Sequence, residues 1–187
     1  MGNAVVIVCD MQNDIARFHT GGEEMERLIT AIKELTDWAR EQGITVVYSC
    51  VGYRPGYVDV IPQLADQLKR HKLLAEGTWG TAVLDGLAPQ DGDVMLMRRR
   101  SSSFYGTDLD LVLKALDADT VILTGVSTHR VVESTARDAS DRDLRVLVAS
   151  DCCGSNDQEF HDASLRAIAD WFGKVHTSEE IMKELAS

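Results

Sequence analysis

Proline is scarce in this chain, three residues in 187, and no low-complexity stretch interrupts it. That excludes an extensively disordered protein and fits one domain spanning residues 1–187. No apolar run approaches the roughly 18 residues that a membrane span needs; the first, residues 4–9, stops at Asp10. No secretory leader is read at the N-terminus, so a cytoplasmic location is expected. An excess of basic charge is also missing. Thirty acidic residues face 19 basic ones, a formal net charge of −11, which repels phosphate backbones and anionic lipid surfaces. Neither nucleic acid nor membrane is expected as a partner. The four cysteines, Cys9, Cys50, Cys152 and Cys153, make no CxxC pair and no disulfide framework. His19, His71, His129, His161 and His176 show no metal-ligand spacing. No GxGxxG follows the first apolar run, so a nucleotide cofactor is weakly supported.

What is present is alternation. Short β-branched runs at 4–9, 45–50, 93–97, 120–124, 145–149 and 174–176 read as buried strands. Between them, residues 23–41 place Met25, Leu28, Ile29, Ile32, Leu35 and Ala39 on one helical face, and Gly43 supplies the stop. Thr107 reads as the N-cap of a second helix, with Asp108 and Asp110 in its first turn. Residues 128–142 and 157–172 read as two more. Such a chain predicts an α/β fold, three layers α-β-α around a parallel sheet.

In open parallel sheets, ligands bind beyond the carboxyl ends of the strands, where the strand order reverses. That edge nominates Asp10, Cys50, Arg98 and the turn 125–131. Asp10 ends a hydrophobic run, where burial or a nearby cation can move its pKa, so it is the best acid or base; a turn-capping Asp is the alternative. Arg98 could hold an anion or pair with Asp10, but it cannot shuttle a proton. The strand-glycine-helix pattern at 123–139 should aim backbone N–H groups from about Ser127 to Val131 into the cleft, a seat for an oxyanion or carboxylate. Val131 has neither proton nor lone pair to act as nucleophile. Cys50 could reach the cleft, although a buried structural thiol is the commoner case. Cys9, one residue before Asp10, should face the other way by strand alternation.

Four segments carry a resemblance: Val-Ile-Val-Cys-Asp-Met-Gln-Asn-Asp (6–14), Glu-Gly-Thr-Trp-Gly (76–80), Arg-Arg-Arg-Ser-Ser-Ser-Phe-Tyr-Gly-Thr-Asp-Leu (98–109) and Thr-Gly-Val-Ser-Thr-His-Arg-Val-Val-Glu-Ser-Thr-Ala-Arg-Asp-Ala (124–139). In this order they resemble the signature blocks of isochorismatase-like hydrolases, and they span most of the chain. The resemblance implies a Rossmann-like six-stranded parallel sheet, a homo-oligomer such as a dimer or tetramer, and an Asp–Lys–Cys triad that cleaves amides or related bonds. Asp10 matches the Asp of that triad, Arg98 stands at the Lys position and Val131 at the Cys position. A covalent cysteine route at this locus is therefore closed. The substrate and its oxyanion would lie among Val126, Ser127, His129, Arg130, Phe104 and Trp79. A non-proline cis peptide is implied between Val126 and Ser127. The metal-binding branch of the family carries histidines after the second strand; residues 50–56 contain none, so no metal and no other cofactor are expected.

Two functions compete. One is a hydrolase of a small carboxylate- or amide-containing metabolite that works without a cysteine. True isochorismatases, which resemble this chain in lacking the Cys, set that precedent by using an Asp acid on a vinyl ether. Its difficulty is that a guanidinium beside Asp10 lowers the pKa of the acid it needs. The other is a catalytically silent relative that binds a small ligand or serves a structural role.

Overall fold

The structure, a computed structural model, describes residues 3–18 and 22–186; His19 lies outside them. Six strands, β1 (Asn3–Cys9), β2 (Thr45–Val51), β3 (Val94–Arg98), β4 (Ala118–Val126), β5 (Arg145–Gly154) and β6 (Lys174–His176), form one sheet in the order β3-β2-β1-β4-β5-β6. Every neighbouring pair is parallel. The helices are α1 (Asn13–Ala16), α2 (Glu23–Glu41), α3 (Ala65–His71), α4 (Leu109–Ala115), α5 (Glu133–Ser140), α6 (Gln158–Ala167) and α7 (Ser178–Ala186).

The three layers follow from the period of two along each strand. Val5, Ile7, Val121, Leu123, Val146 and Val148 pack with Leu109 and Leu113 of α4, Ala136 and Ala139 of α5, and Ile168. The intervening residues Val6, Val8, Ile122, Leu147 and Ala149 pack with Leu28, Ile32, Leu35 and Ala39 of α2 and Ile181 of α7. Both faces are thus covered, which is why these strands are apolar at nearly every position instead of alternating.

Several boundaries differ from the sequence expectation. β4 and β5 run beyond the β-branched runs because their ends pair with neighbours, Asn3 with Ala118 and Gly125 with Cys153. Cys152 and Cys153 therefore lie inside β5 and are buried. Asp108, not Thr107, is the N-cap of α4; the Thr107 hydroxyl instead accepts from the Leu109 N–H at 3.2 Å. The helix expected over 128–142 opens as a wide π turn, Thr128–Val132, before α5. The helix expected over 157–172 closes as another, Ile168–Phe172, and Asp157 caps it through the Phe160 N–H at 3.1 Å. The stretch between β2 and β3, where no regular pattern is read, consists of short turns and α3.

Reading the strand order, β1 leads outward to β2 and β3, and the chain then returns to lay β4 on the other side of β1. The order reverses between β1 and β4, so the crevice rule points at Asp10 and Val126–Ser127.

Candidate active site

Asp10 leaves β1 with φ 52°, a left-handed turn that Asp tolerates better than most residues. Its N–H donates to the Ser49 carbonyl at 3.0 Å, and its own carbonyl accepts from Gln12 N–H at 2.7 Å. Arg98 closes β3 opposite Val51. The two side chains meet as an ion pair, Arg98 Nη2 to Asp10 Oδ2, while Arg98 Nη1 donates to the Arg100 carbonyl. Asp10 is 8% exposed and Arg98 2%, so both charges are largely removed from water. Asp10 Oδ1 and Arg98 Nε have no hydrogen-bond partner. Burial pushes the Asp10 carboxyl above its ordinary 3.8, and the attraction of Arg98 offsets only part of that rise. The difficulty foreseen for an Asp acid, that the guanidinium would lower its pKa, is therefore outweighed by desolvation.

At the end of β4, Gly125 lies against Cys9. The next peptide bond, Val126–Ser127, is cis. The Ser127 carbonyl then accepts from the N–H groups of Arg130, at 3.1 Å, and Val132, at 3.5 Å. The N–H of Arg130, expected to point unpaired into the cleft, is thus used within the turn, in a bond to the carbonyl three residues back. Val131 is 1% exposed and packs among Cys9, Phe104 and Val132.

The turn is anchored by a pair of histidines. The Thr128 hydroxyl donates to the Gly154 carbonyl at 2.9 Å, so it accepts from His161 Nδ1 at 2.8 Å. Arg130 Nε donates to His129 Nε2 at 3.1 Å, which leaves the His129 proton on Nδ1, facing Ser155 Oγ at 2.6 Å. The His129 ring also sits against Phe160, 5.3 Å between centroids. Burial lowers the pKa of both histidines from the ordinary 6.5. With the folded pKa below the unfolded one, the unfolded chain binds more protons, so their contribution is full above about pH 6.5 and is lost as pH falls. Denaturant midpoints at pH 7.5 and 5 are expected to show this loss, reduced in His161→Gln. An unchanged pH slope in that variant would contradict the assignment.

The remaining nominated residues fall in different places. Phe104 is buried in the core, with the Arg142 guanidinium stacked 4.3 Å from its ring centroid. Trp79 is exposed beneath Arg17, 4.4 Å from its ring centroid, and its carbonyl accepts from the Asn13 side chain at 2.9 Å. Arg130 is exposed and touches the site through His129. Cys9 is buried on the face of β1 that carries Val5 and Ile7, as strand alternation requires. Burial pushes both Cys9 and Cys50 up to about 12, and Cys152 and Cys153 also upward. None of the four is a ready thiolate near neutral pH. Sequence reasoning missed Gln12, Ser155 and His161, since no local pattern marks any of the three.

Among the described residues, no three His, Cys, Asp or Glu side chains are grouped to hold a metal ion, and no helix is long and apolar enough to cross a membrane. Residues 4–180 match the model of the isochorismatase domain, and the chain belongs to the isochorismatase family of hydrolases. It is 34% identical over 198 residues to ureidoacrylate amidohydrolase RutB of Methylorubrum extorquens, covering 91% of this chain and 78% of that protein. A cysteine hydrolase from Pseudomonas syringae pv. phaseolicola superposes with a TM-score of 0.90 at 29% identity, over 98% of this chain and 92% of that one. N-carbamoylsarcosine amidase from Thermoplasma acidophilum does so with a TM-score of 0.80 at 27% identity, over 94% and 96%.

Proposed function

We propose that this chain hydrolyses a small amide- or carboxylate-bearing metabolite by direct attack of water, without a covalent cysteine intermediate. The observation that carries the reading is the pair of buried, unpartnered atoms at the end of β1 and β3: an acceptor, Asp10 Oδ1, beside a donor of permanent charge, Arg98 Nε. A carbamoyl group, with an N–H to donate and a carbonyl to accept, offers the complementary set, and buried polar groups left alone are costly enough to favour an occupant that satisfies them. Ureidoacrylate and N-carbamoylsarcosine, which the names of two relatives specify as substrates, are compounds of this kind.

In this scheme Arg98 draws charge onto the carbonyl oxygen and cannot give up its own proton. Asp10, whose carboxyl is held above its ordinary range by burial, supplies a proton to the leaving nitrogen as the C–N bond breaks. The hydroxyl of water bonds to the carbonyl carbon, and the proton released from that water restores Asp10. Position 131 takes no chemical part, since valine has no group to contribute. Asp10→Asn, which keeps the shape but removes the transferable proton, is expected to reduce turnover of small ureido or carbamoyl acids by about 10²–10⁴-fold. Full activity in that variant would sink the scheme.

A second reading, a silent ligand-binding relative, is favoured by one fact: Asp10 and Arg98 already neutralise each other. Calorimetry with the same acids separates the two. Heat of binding with no product formed by the wild-type protein supports the silent relative; product formation supports the hydrolase.

A further inference from the structure

We propose that Gln12 is the positioning residue that holds the Asp10–Arg98 pair in register, through the main chain of Val51. Gln12 is fully buried, although its side chain is a polar amide. All of its polar capacity is directed at the ends of neighbouring segments. Nε2 donates to the carbonyls of Val51, at 2.9 Å, and Thr81, at 2.8 Å, while Oε1 accepts from the Val51 N–H at 2.8 Å. Both main-chain groups of Val51 are therefore held by one side chain.

Val51 is where the pair is set. It is the last residue of β2 and the sheet partner of Arg98, and the next residue, Gly52, donates its N–H to the Arg98 carbonyl at 3.2 Å. On the other side, the Gln12 N–H closes the tight turn onto the Asp10 carbonyl at 2.7 Å. One residue thus links the turn that carries the carboxylate to the strand end that carries the guanidinium. The Val51 main chain is also one of the groups that offset the burial of the Asp10 carboxyl. Few uncharged side chains can donate twice and accept once in this geometry; Met can do neither, and an ionised Glu cannot donate.

The inference rests on reading Asp10 as the proton-carrying group, but its test reads titration and not turnover, so the two can fail separately. The Asp10 carboxyl is followed by ¹³C NMR in aspartate-labelled protein, its signal identified by loss in Asp10→Asn. In Gln12→Met the clamp on Val51 is lost, Arg98 is no longer held against Asp10, and the titration midpoint is expected to rise by about one pH unit. In Gln12→Glu, which differs from wild type by one atom, a like charge is added and the midpoint is expected to rise. A purely structural role would lower the melting temperature of either variant while leaving the Asp10 midpoint where it was; that result overturns the proposal. The wild-type protein gives an independent reading should the variants fold poorly. Its Val51 amide resonance must shift with the Asp10 midpoint, and a resonance that stays flat across that pH range overturns the proposal as well.

Discussion

Arg98→Met is expected to lower folding stability by about 3–5 kcal/mol near neutral pH, the loss typical of removing one partner from a buried ion pair. The methionine fills much of the space, so the effect is electrostatic: Asp10 is left 8% exposed without its cation. The sign with pH follows from linkage. Burial already raises the folded carboxyl above the ordinary 3.8, and losing Arg98 raises it further. A raised folded pKa means that protons bind more tightly to the folded chain, so stability is retained below about pH 4 and lost as pH rises through the folded value. Urea denaturation at pH 5 and pH 8 should therefore show the larger deficit at pH 8. Adding Asp10→Asn should recover part of it, since the unpaired charge is gone. A deficit below about 1 kcal/mol at pH 8 would mean that the pair does not hold the strand ends together.

The second large effect lies at the junction of β1 and β4. Gly125→Ala is expected to cost about 3–5 kcal/mol or to abolish soluble expression, because two penalties coincide. The residue has φ 102°, a conformation that glycine alone adopts readily. A Cβ there would also lie 2.1 Å from the Cys9 carbonyl oxygen and 2.8 Å from the Cys9 nitrogen. Those atoms belong to a central strand and cannot swing aside as a flexible side chain would. Gly92 is the control: its φ of 96° is similar, but nothing lies within 4 Å of the added carbon. Gly92→Ala should show the backbone penalty alone. Equal losses in the two variants, measured by denaturant midpoint, would show that close approach of β1 and β4 contributes nothing.

The layers were legible from the chain because burial on both faces demands apolar, β-branched strands at nearly every position, and one-sided burial gives α2 its helical period. Residues 23–41 were delimited from the sequence because the apolar stripe and Gly43 both mark the end. The ends of β4 and β5 were not, since those residues are in strands only by virtue of the neighbours they pair with. The same limit applies to the π turn at Thr128–Val132, which looks like ordinary helix when read as a pattern. At the candidate site, Asp10 and Arg98 could be nominated because both stand at the carboxyl ends of strands that share one edge. Cys9 was placed by alternation, which holds along β1 and stops only at the left-handed Asp10.

Gln12 illustrates what distance in the chain conceals. Its partners lie 39 and 69 residues away, and nothing in the local pattern distinguishes a clamp from a loop amide. His161 meets Thr128 across 33 residues in the same way. Composition and periodicity by themselves determined the class of fold and which strand ends share one edge, because each depends on residue type and on near neighbours. Tertiary structure decided the upward shift of the Asp10 carboxyl, the hydrogen-bond partners of the two histidines and the upward shifts of the four thiols. Those depend on desolvation and on contacts between distant segments, which exist only once the sheet has closed.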